Sequence, residues 1–186
     1  MVKQGEMGIL KNPIHGKNVI LRSLREEDAV FFAHWYNEPE VMFECGFHEP
    51  TTLEAELRRI QNPESNDEDW YAIIDSETGR LIGETGLLRM WSHWRCTDMS
   101  MIIPNPDDQG KGYGIEAGHI MLDRVFNHYN LNRVSVGVVG LNTQALKYWE
   151  RLGFRKEGMQ EQGYLYNGEF SDFIMMRILK SEYSLR

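Results

Sequence analysis

Three glycines at alternate positions near the middle of the chain form the clearest candidate for a ligand site. They lie in the run Asp108-Gln109-Gly110-Lys111-Gly112-Tyr113-Gly114, which leads directly into a predicted helix beginning with Ile115. Because glycine has no side chain to block the backbone, successive N–H groups can turn toward one point. The N-terminus of a following helix adds unpaired N–H groups and the positive end of its dipole. The run therefore predicts a binding site for an anion such as a phosphate group.

Two other phosphate motifs fit these glycines less well. A dinucleotide fingerprint requires an acidic residue about 20 residues further on, at the end of the next strand. The chain has Val136-Gly137-Val138-Val139-Gly140 there instead. A P-loop requires Ser or Thr directly after Gly110-Lys111, where the chain has Gly112. A glycine-rich turn without a ligand stays open as the alternative.

The order Gln109-x-x-Gly112-x-Gly114 resembles the pyrophosphate loop of the GNAT superfamily of N-acetyltransferases, which binds acetyl-coenzyme A (acetyl-CoA). A second motif, Asn142-x-x-Ala145 followed by Leu152-Gly153-Phe154, resembles the downstream helix of that family. It lies one predicted strand beyond the loop, as the family requires. The run Trp35-Tyr36-Asn37-Glu38-Pro39-Glu40-Val41 resembles the branch containing spermidine and ribosomal-protein N-terminal acetyltransferases. Residues 18–180 are therefore similar to a GNAT domain.

The resemblance implies acetyl-CoA as the acyl-donor co-substrate and assigns residues to it. The pyrophosphate would bind to residues 109–114, and Asn142 would form a hydrogen bond with the pantetheine arm. Backbone groups near Ile102 and Ile103 would pair with that arm as an added strand does. Asn142 is also a good helix N-cap residue, and the two roles are compatible.

Attack of an amine on a thioester requires loss of the ammonium proton, stabilisation of the oxyanion and a proton for the thiolate. Asp98 is our first candidate for the base, at a position that is often acidic in the family, and Glu84 is the second. Asp98 could instead be an edge carboxylate facing water, and ordered water could replace a dedicated base. Backbone N–H groups at the end of the predicted strand 97–103, where Pro104 breaks the pairing, could stabilise the oxyanion.

The candidate acid departs from the family pattern. Many GNAT enzymes carry a tyrosine four residues before the glycine that matches Gly153, but this chain has Trp149 there and Tyr148 one residue earlier. An indole cannot donate a usable proton, so we predict Tyr148 as the acid. Because a helix turns about 100° per residue, Tyr148 reaches the sulfur only if the helix is rotated. Core packing is the alternative for both aromatic residues.

These residues need a scaffold, and the pattern of the sequence predicts one. A tail of residues 1–17 precedes a single domain of residues 18–186. The alternation of predicted elements indicates an α/β fold, and the resemblance implies a GNAT-like mixed, mostly antiparallel sheet flanked by helices on both faces. Predicted strands are 19–24, 70–74, 81–88, 97–103, 133–138, 155–162 and 169–179. Predicted helices are 26–36, 53–60, 115–129 and 142–152, and the second is expected to expose Glu54, Glu56, Arg58 and Arg59.

Composition limits the compartment and the partners. The formal charge of −8 argues against a nucleic-acid surface. Two cysteines and no N-terminal apolar run of signal or membrane length predict a reducing, cytoplasmic setting without a membrane partner. The histidines show no metal-ligand spacing with the cysteines, so no metal is expected. The Trp91 and Trp94 pair, together with some of the methionines, is assigned to the core, to homodimer packing or to a substrate pocket.

The distribution of charge bears on the acceptor. Residues 1–70 contain fourteen acidic and seven basic residues, whereas residues 71–186 contain fourteen and thirteen. By resemblance, the acidic part flanks the acceptor site, which favours a cationic amine such as a polyamine or an aminoglycoside. A solvated acidic face is the simpler explanation. The other hypotheses are acetylation of a protein N-terminus and a degenerate acyl-CoA binding or sensing domain.

Overall fold

The strands of the chain form one eight-stranded sheet in the computed structural model, which describes residues 12–62 and 68–183. Their order across the sheet is β1-β2-β3-β4-β5-β6-β8-β7. Neighbouring strands are antiparallel except for β5 and β6, which are parallel. The predicted mixed, mostly antiparallel sheet is therefore confirmed. The strands are β1 Ile14–His15, β2 Val19–Ser23, β3 Asp69–Asp75, β4 Leu81–Trp91, β5 Cys96–Ile102, β6 Arg133–Val139, β7 Arg155–Tyr166 and β8 Glu169–Leu179.

Helices cover both faces of this sheet, and most begin where the sequence predicts. One predicted helix begins as a 3-10 turn, Glu26–Asp28, before α1, and a π-turn, Arg124–His128, extends α4. The sequence reasoning missed α2, where Pro39 occupies the first helical turn, a position that proline tolerates well. None of the helices in the described residues is long and apolar enough to cross a membrane. The helices are α1 Ala29–Trp35, α2 Pro39–Cys45, α3 Leu53–Gln61, α4 Tyr113–Asp123, α5 Thr143–Leu152 and α6 Lys180–Tyr183.

Two hydrophobic clusters fix these helices on opposite faces of the sheet. The larger one packs α4 and α5 on the sheet through Met121, Leu122 and Leu152. The smaller one packs α1 and α2 through Phe32, Tyr36 and Val41, with Ile60 of α3 beside them. Side chains alternate along β5, so Met99 and Met101 contact the larger cluster and Ile102 contacts the smaller one. The centre of β5 therefore lies between the two helical layers.

The ends of the predicted domain differ in detail from the expectation. Ile14–His15 pairs with β2, so the sheet begins within the segment 1–17 that the sequence predicts as a tail. Residues 1–11 of that segment lie outside the described residues, as do 184–186.

Trp91 and Trp94 are 40% and 76% exposed, so the core assignment for this pair is wrong.

Candidate active site

The sheet opens between β5 and β6, and this opening organises the candidate site. The parallel pairing joins residues 96–98 of β5 to residues 133–135 of β6 and then stops. Beyond that point, residues 99–102 continue to pair with β4, and residues 136–139 continue to pair with β8. The two strands separate, so backbone groups on their facing edges are available to an extended ligand. This is the place where the resemblance puts the pantetheine arm, next to Ile102 and Ile103.

The glycine loop lies at the wide end of this opening, between β5 and α4. Gly110 and Gly112 have φ angles of 74° and 88°, a left-handed backbone that favours glycine. A Cβ atom added at either residue meets no atom within 4 Å. The local backbone and the space around it are therefore both available for close approach of a ligand.

The start of α4 supplies hydrogen-bond donors to the same space. Among the described residues no side chain caps this helix, and its first intrahelical bond runs from the N–H of Glu116 to the carbonyl of Gly112. The N–H groups of Tyr113, Gly114 and Ile115 consequently have no partner within the helix. Uncapped N–H groups at the positive end of a helix dipole suit a pyrophosphate. The loop therefore fits the group that the sequence predicts there.

Side-chain amides hold the loop and connect it to α5. The Gln109 side chain donates to the carbonyl of Ile103 at 2.9 Å and accepts from Gln144 at 2.7 Å. Asn142 caps α5 by accepting from the N–H of Ala145 at 2.9 Å, as predicted for an N-cap. Its amide nitrogen makes no hydrogen bond within the described residues, and the residue lines the cavity described below. Asn142 can therefore cap the helix and still donate to a ligand.

A buried network of charged and polar side chains lies on the other side of β5. The Glu84 carboxylate accepts a hydrogen bond from the Tyr36 hydroxyl. It also accepts two hydrogen bonds from the Arg59 guanidinium, at 3.1 and 3.3 Å. Arg59 also donates to Glu56 at 2.9 Å, and Glu56 accepts from Thr51 at 2.7 Å. Glu84 is 2% exposed and Glu56 is 5% exposed. With both carboxylates ionised, the network holds two negative charges and one positive charge.

Burial sets the protonation behaviour of this network. Removal from water raises the pKa of Glu84, and the attraction of Arg59 and the hydrogen bond from Tyr36 oppose the rise only in part. Burial and the neighbouring carboxylate raise the pKa of Tyr36, so its phenol stays protonated. Arg59 stacks over Phe32 at 5.0 Å and over Trp70 at 5.8 Å, which fixes the guanidinium in place. Glu84 therefore takes up a proton more readily than an ordinary glutamate.

The other candidate base occupies a more exposed position. Asp98 pairs with Leu88 across the β4–β5 ladder, whereas Glu84 pairs with Ile102. The Asp98 carboxylate accepts a hydrogen bond from Arg89 at 2.6 Å. The Asp98 side chain is 22% exposed, and that of Arg89 is 67% exposed. Asp98 is not the edge carboxylate that the sequence alternative describes, because its strand pairs with β4 on one side and with β6 on the other. Both Asp98 and Glu84 line the same cavity.

The two adjacent aromatic residues of α5 have different surroundings. Trp149 is 4% exposed and packs edge-on against Phe154 within the larger cluster, which agrees with the core alternative. The Tyr148 hydroxyl donates to the carbonyl of Gly114 at 3.0 Å, and burial raises the pKa of this phenol. Both residues line the cavity. Tyr148 therefore keeps its proton at neutral pH, but the hydroxyl already donates a hydrogen bond to the carbonyl of Gly114 in the first turn of α4.

One cavity joins all of these groups. Its volume is about 1180 Å³, and its wall runs from the glycine loop and Asn142, along β5, to the buried network of Glu84. At the far end the cavity is also lined by Glu44, in the last turn of α2, and by Glu49, which follows that helix. Neither of these two carboxylates forms an ion pair within the described residues. Burial, followed by repulsion from Glu40, raises the pKa of Glu44.

The sequence reasoning missed part of this site. The predicted exposed face of α3 was wrong for Glu56, which is buried, and for Arg59, which reaches down to Glu84. Glu54 and Arg58 are exposed, as predicted. The only local signal was the spacing of Glu56 and Arg59, which places both on one side of the helix. Among the described residues, no group of three or more His, Cys, Asp or Glu side chains could hold a metal ion.

Comparison with known sequences agrees with this geometry. The sequence profile of the acetyltransferase (GNAT) domain matches residues 18–155. Spermidine N(1)-acetyltransferase of Vibrio cholerae is 29% identical over 164 residues, which cover 88% of this chain and 94% of that protein. Spermidine N(1)-acetyltransferase of Escherichia coli K12 is 27% identical over 166 residues, which cover 89% and 88% of the two chains.

Comparison with solved structures gives the same result for the fold. The crystal structure of spermidine N-acetyltransferase from Vibrio cholerae in complex with CoA and spermine superposes with a TM-score of 0.81. The match has 27% sequence identity and covers 91% of this chain and 99% of that one. The matched profile covers both the separated strands β5 and β6 and the glycine loop. The chain belongs to the GNAT family of acetyltransferases.

Proposed function

We propose that the protein transfers the acetyl group of acetyl-CoA to a primary amine of a polyamine or a similar small cation. The observation that carries this proposal is the single cavity that joins the glycine loop to the buried carboxylate of Glu84. Such a cavity admits both reactants together, and direct attack requires that they meet. The similarity to two spermidine N(1)-acetyltransferases supports a polyamine as the acceptor.

On the coenzyme side, residues of the chain bind and orient. The N–H groups of residues 110–114 would hold the pyrophosphate, and the free amide nitrogen of Asn142 and the open edge of β5 near Ile102 and Ile103 would hold the pantetheine. Acetyl-CoA supplies an activated thioester whose thiolate is the leaving group. N–H groups of β5 that point into the opening would stabilise the oxyanion.

On the acceptor side, charge favours a cation. Glu44 and Glu49 supply negative charge at the far end of the cavity, and the network of Glu84 adds a buried negative charge when both of its carboxylates are ionised. A buried net charge is costly, so a bound ammonium group that offsets it is stabilised. Methylene segments of a polyamine would contact the aromatic walls formed by Tyr36 and Phe47.

A carboxylate of the β4–β5 pair would take the ammonium proton. Burial supports Glu84, because a raised pKa brings a carboxylate closer to the operating pH and makes it a better base. Asp98, our first candidate from the sequence, lies in the same cavity, and its side chain is 22% exposed and paired with Arg89. The acid would be Tyr148, whose phenol is protonated at neutral pH.

A panel of amines tests this function. Thiol release from acetyl-CoA would be followed with spermidine, an aminoglycoside, a simple monoamine and a peptide with a free N-terminus. We expect kcat/KM to be higher for spermidine than for the monoamine and the peptide, because only a multiply charged acceptor meets both the carboxylates at the far end of the cavity and those of the Glu84 network. The KM for spermidine should rise with added salt more than that for the monoamine, since the Debye length is only about 8 Å at physiological ionic strength.

Other outcomes of the panel would assign the protein differently. Equal kcat/KM for the peptide and spermidine would favour a protein N-terminal acetyltransferase. Binding of acetyl-CoA without turnover of any amine would favour a sensing domain.

Compartment and assembly belong to this proposal as well. The free Cys45 and Cys96 agree with a reducing cytoplasm. The exposed pair Trp91 and Trp94 supports a homodimer contact, because exposed aromatic side chains are enriched at interfaces.

A further inference from the structure

The β3–β4 hairpin contacts the glycine loop at two places. Before the loop, Asp108 is 1% exposed and accepts two hydrogen bonds from Arg80, at 2.6 and 2.8 Å. Within the loop, between Gly112 and Gly114, the Tyr113 hydroxyl lies 3.4 Å from the carboxylate of Asp75. Asp75 is itself held by Thr78 at 2.9 Å. The hairpin thus contacts the loop on either side of Gly110 and Gly112, at Asp108 and at Tyr113.

Within the loop, the Gln109 side chain is held by Ile103 and Gln144, but the glycines themselves add no side-chain contacts. A Cβ atom at Gly110 or Gly112 would meet none of the described atoms within 4 Å. Glycine also loses more backbone freedom on ordering than any other residue. A loop that is already ordered before the ligand arrives avoids this cost at the moment of binding, and affinity rises accordingly.

We propose that Arg80 is a positioning residue that holds the pyrophosphate loop in its binding conformation through Asp108. Arg80 does not line the cavity, whereas Asp108 does, so the effect of Arg80 is transmitted through its two-pronged contact. Loss of Arg80 leaves the buried Asp108 carboxylate with Lys111, at 3.8 Å, as its remaining cation among the described residues. The proposal rests on the binding of acetyl-CoA at this loop and is independent of the acceptor.

The test is the affinity for CoA, measured by titration without any amine. Arg80→Ala is expected to raise the Kd for CoA about tenfold, which corresponds to 1.4 kcal/mol. In turnover assays the KM for acetyl-CoA should rise similarly, while kcat and the KM for the amine stay within about twofold of the parent. Arg58→Ala is the matched control, because Arg58 makes an exposed ion pair with Glu54 on α3 and has the same charge.

A second variant separates positioning from direct contact with the ligand. Asp108→Asn removes the partner of Arg80 but keeps its positive charge. If Arg80 acts through Asp108, this variant weakens CoA binding as Arg80→Ala does, and the double variant weakens it no further. Direct contact of Arg80 with a phosphate would instead leave Asp108→Asn binding as tightly as the parent. Additive losses in the double variant would also overturn the proposal.

Folding is checked by the melting temperature of each variant without ligand. If Arg80→Ala does not fold, Arg80→Lys carries the same test, because lysine keeps the charge but cannot make the two-pronged contact. Unchanged CoA affinity in the folded Arg80 variants would contradict the proposal, as would an equal loss in Arg58→Ala. Absence of turnover with every amine would refute the proposed acceptor and leave these binding results interpretable.

Discussion

Replacement of Glu84 by Gln is expected to lower kcat with spermidine by about 10²-fold or more, since positioned bases typically contribute about 10²–10⁴. Gln keeps the size of the side chain and removes the group that would take the proton. The pH profile should change as well. Because burial raises the pKa of Glu84, the rate of the parent should rise with pH above the ordinary glutamate value of about 4.3. This limb should disappear in Glu84→Gln.

Two matched variants show whether the loss is chemical or structural. Glu56→Gln removes the other carboxylate partner of Arg59, so it reports on disruption of the network alone. Asp98→Asn removes the alternative base and its pair with Arg89. A large loss of kcat confined to Asp98→Asn would assign the base to Asp98. Parent-like kcat in both Glu84→Gln and Asp98→Asn would mean that ordered water accepts the proton.

Replacement of Tyr148 by Phe is the second variant with a large expected effect. If the phenol gives its proton to the departing thiolate, kcat should fall by about 10²-fold or more. The KM for acetyl-CoA should change little, because the phenol acts mainly in the transition state. Burial raises the pKa of Tyr148 above the ordinary tyrosine value of about 10, so the acid form persists throughout the neutral range.

The hydrogen bond from Tyr148 to Gly114 gives this variant a built-in check. Loss of that bond alone would disturb the start of α4 and raise the KM for acetyl-CoA with little change in kcat. Trp149→Tyr places a phenol at the position where the family often has one. A higher rate in this variant would indicate that residue 149 faces the sulfur. If Tyr148→Phe is as active as the parent, Tyr148 is not the acid and water supplies the proton.

The backbone of the glycine loop and the ends of α5 could be predicted from the sequence because these features are local. Glycine itself favours the left-handed backbone of Gly110 and Gly112. The helix predicted to begin at Ile115 begins two residues earlier, at Tyr113. Asn142 as an N-cap and Gly153 as a helix stop, with a φ of 111°, are also encoded at single positions. Such features depend on a few neighbouring residues and need no knowledge of the tertiary structure.

The buried network of Glu56, Arg59 and Glu84 could not be predicted because residues distant in sequence form it. The sequence predicts Glu56 and Arg59 on the exposed face of α3, yet Arg59 pairs with Glu84 of β4 and also holds the buried Glu56. An ion pair between a helix and a strand 25 residues apart leaves no periodic signal. The separation of β5 from β6 after residue 98 likewise depends on pairing between distant segments.

The most direct test of the account is the mass of spermidine after incubation with the protein and acetyl-CoA, with a peptide bearing a free N-terminus in the same tube. We predict that spermidine gains one acetyl group at a primary amine, with one thiol released per product, and that the peptide stays unmodified. Unmodified spermidine, under conditions where a titration shows that acetyl-CoA is bound, would contradict the account.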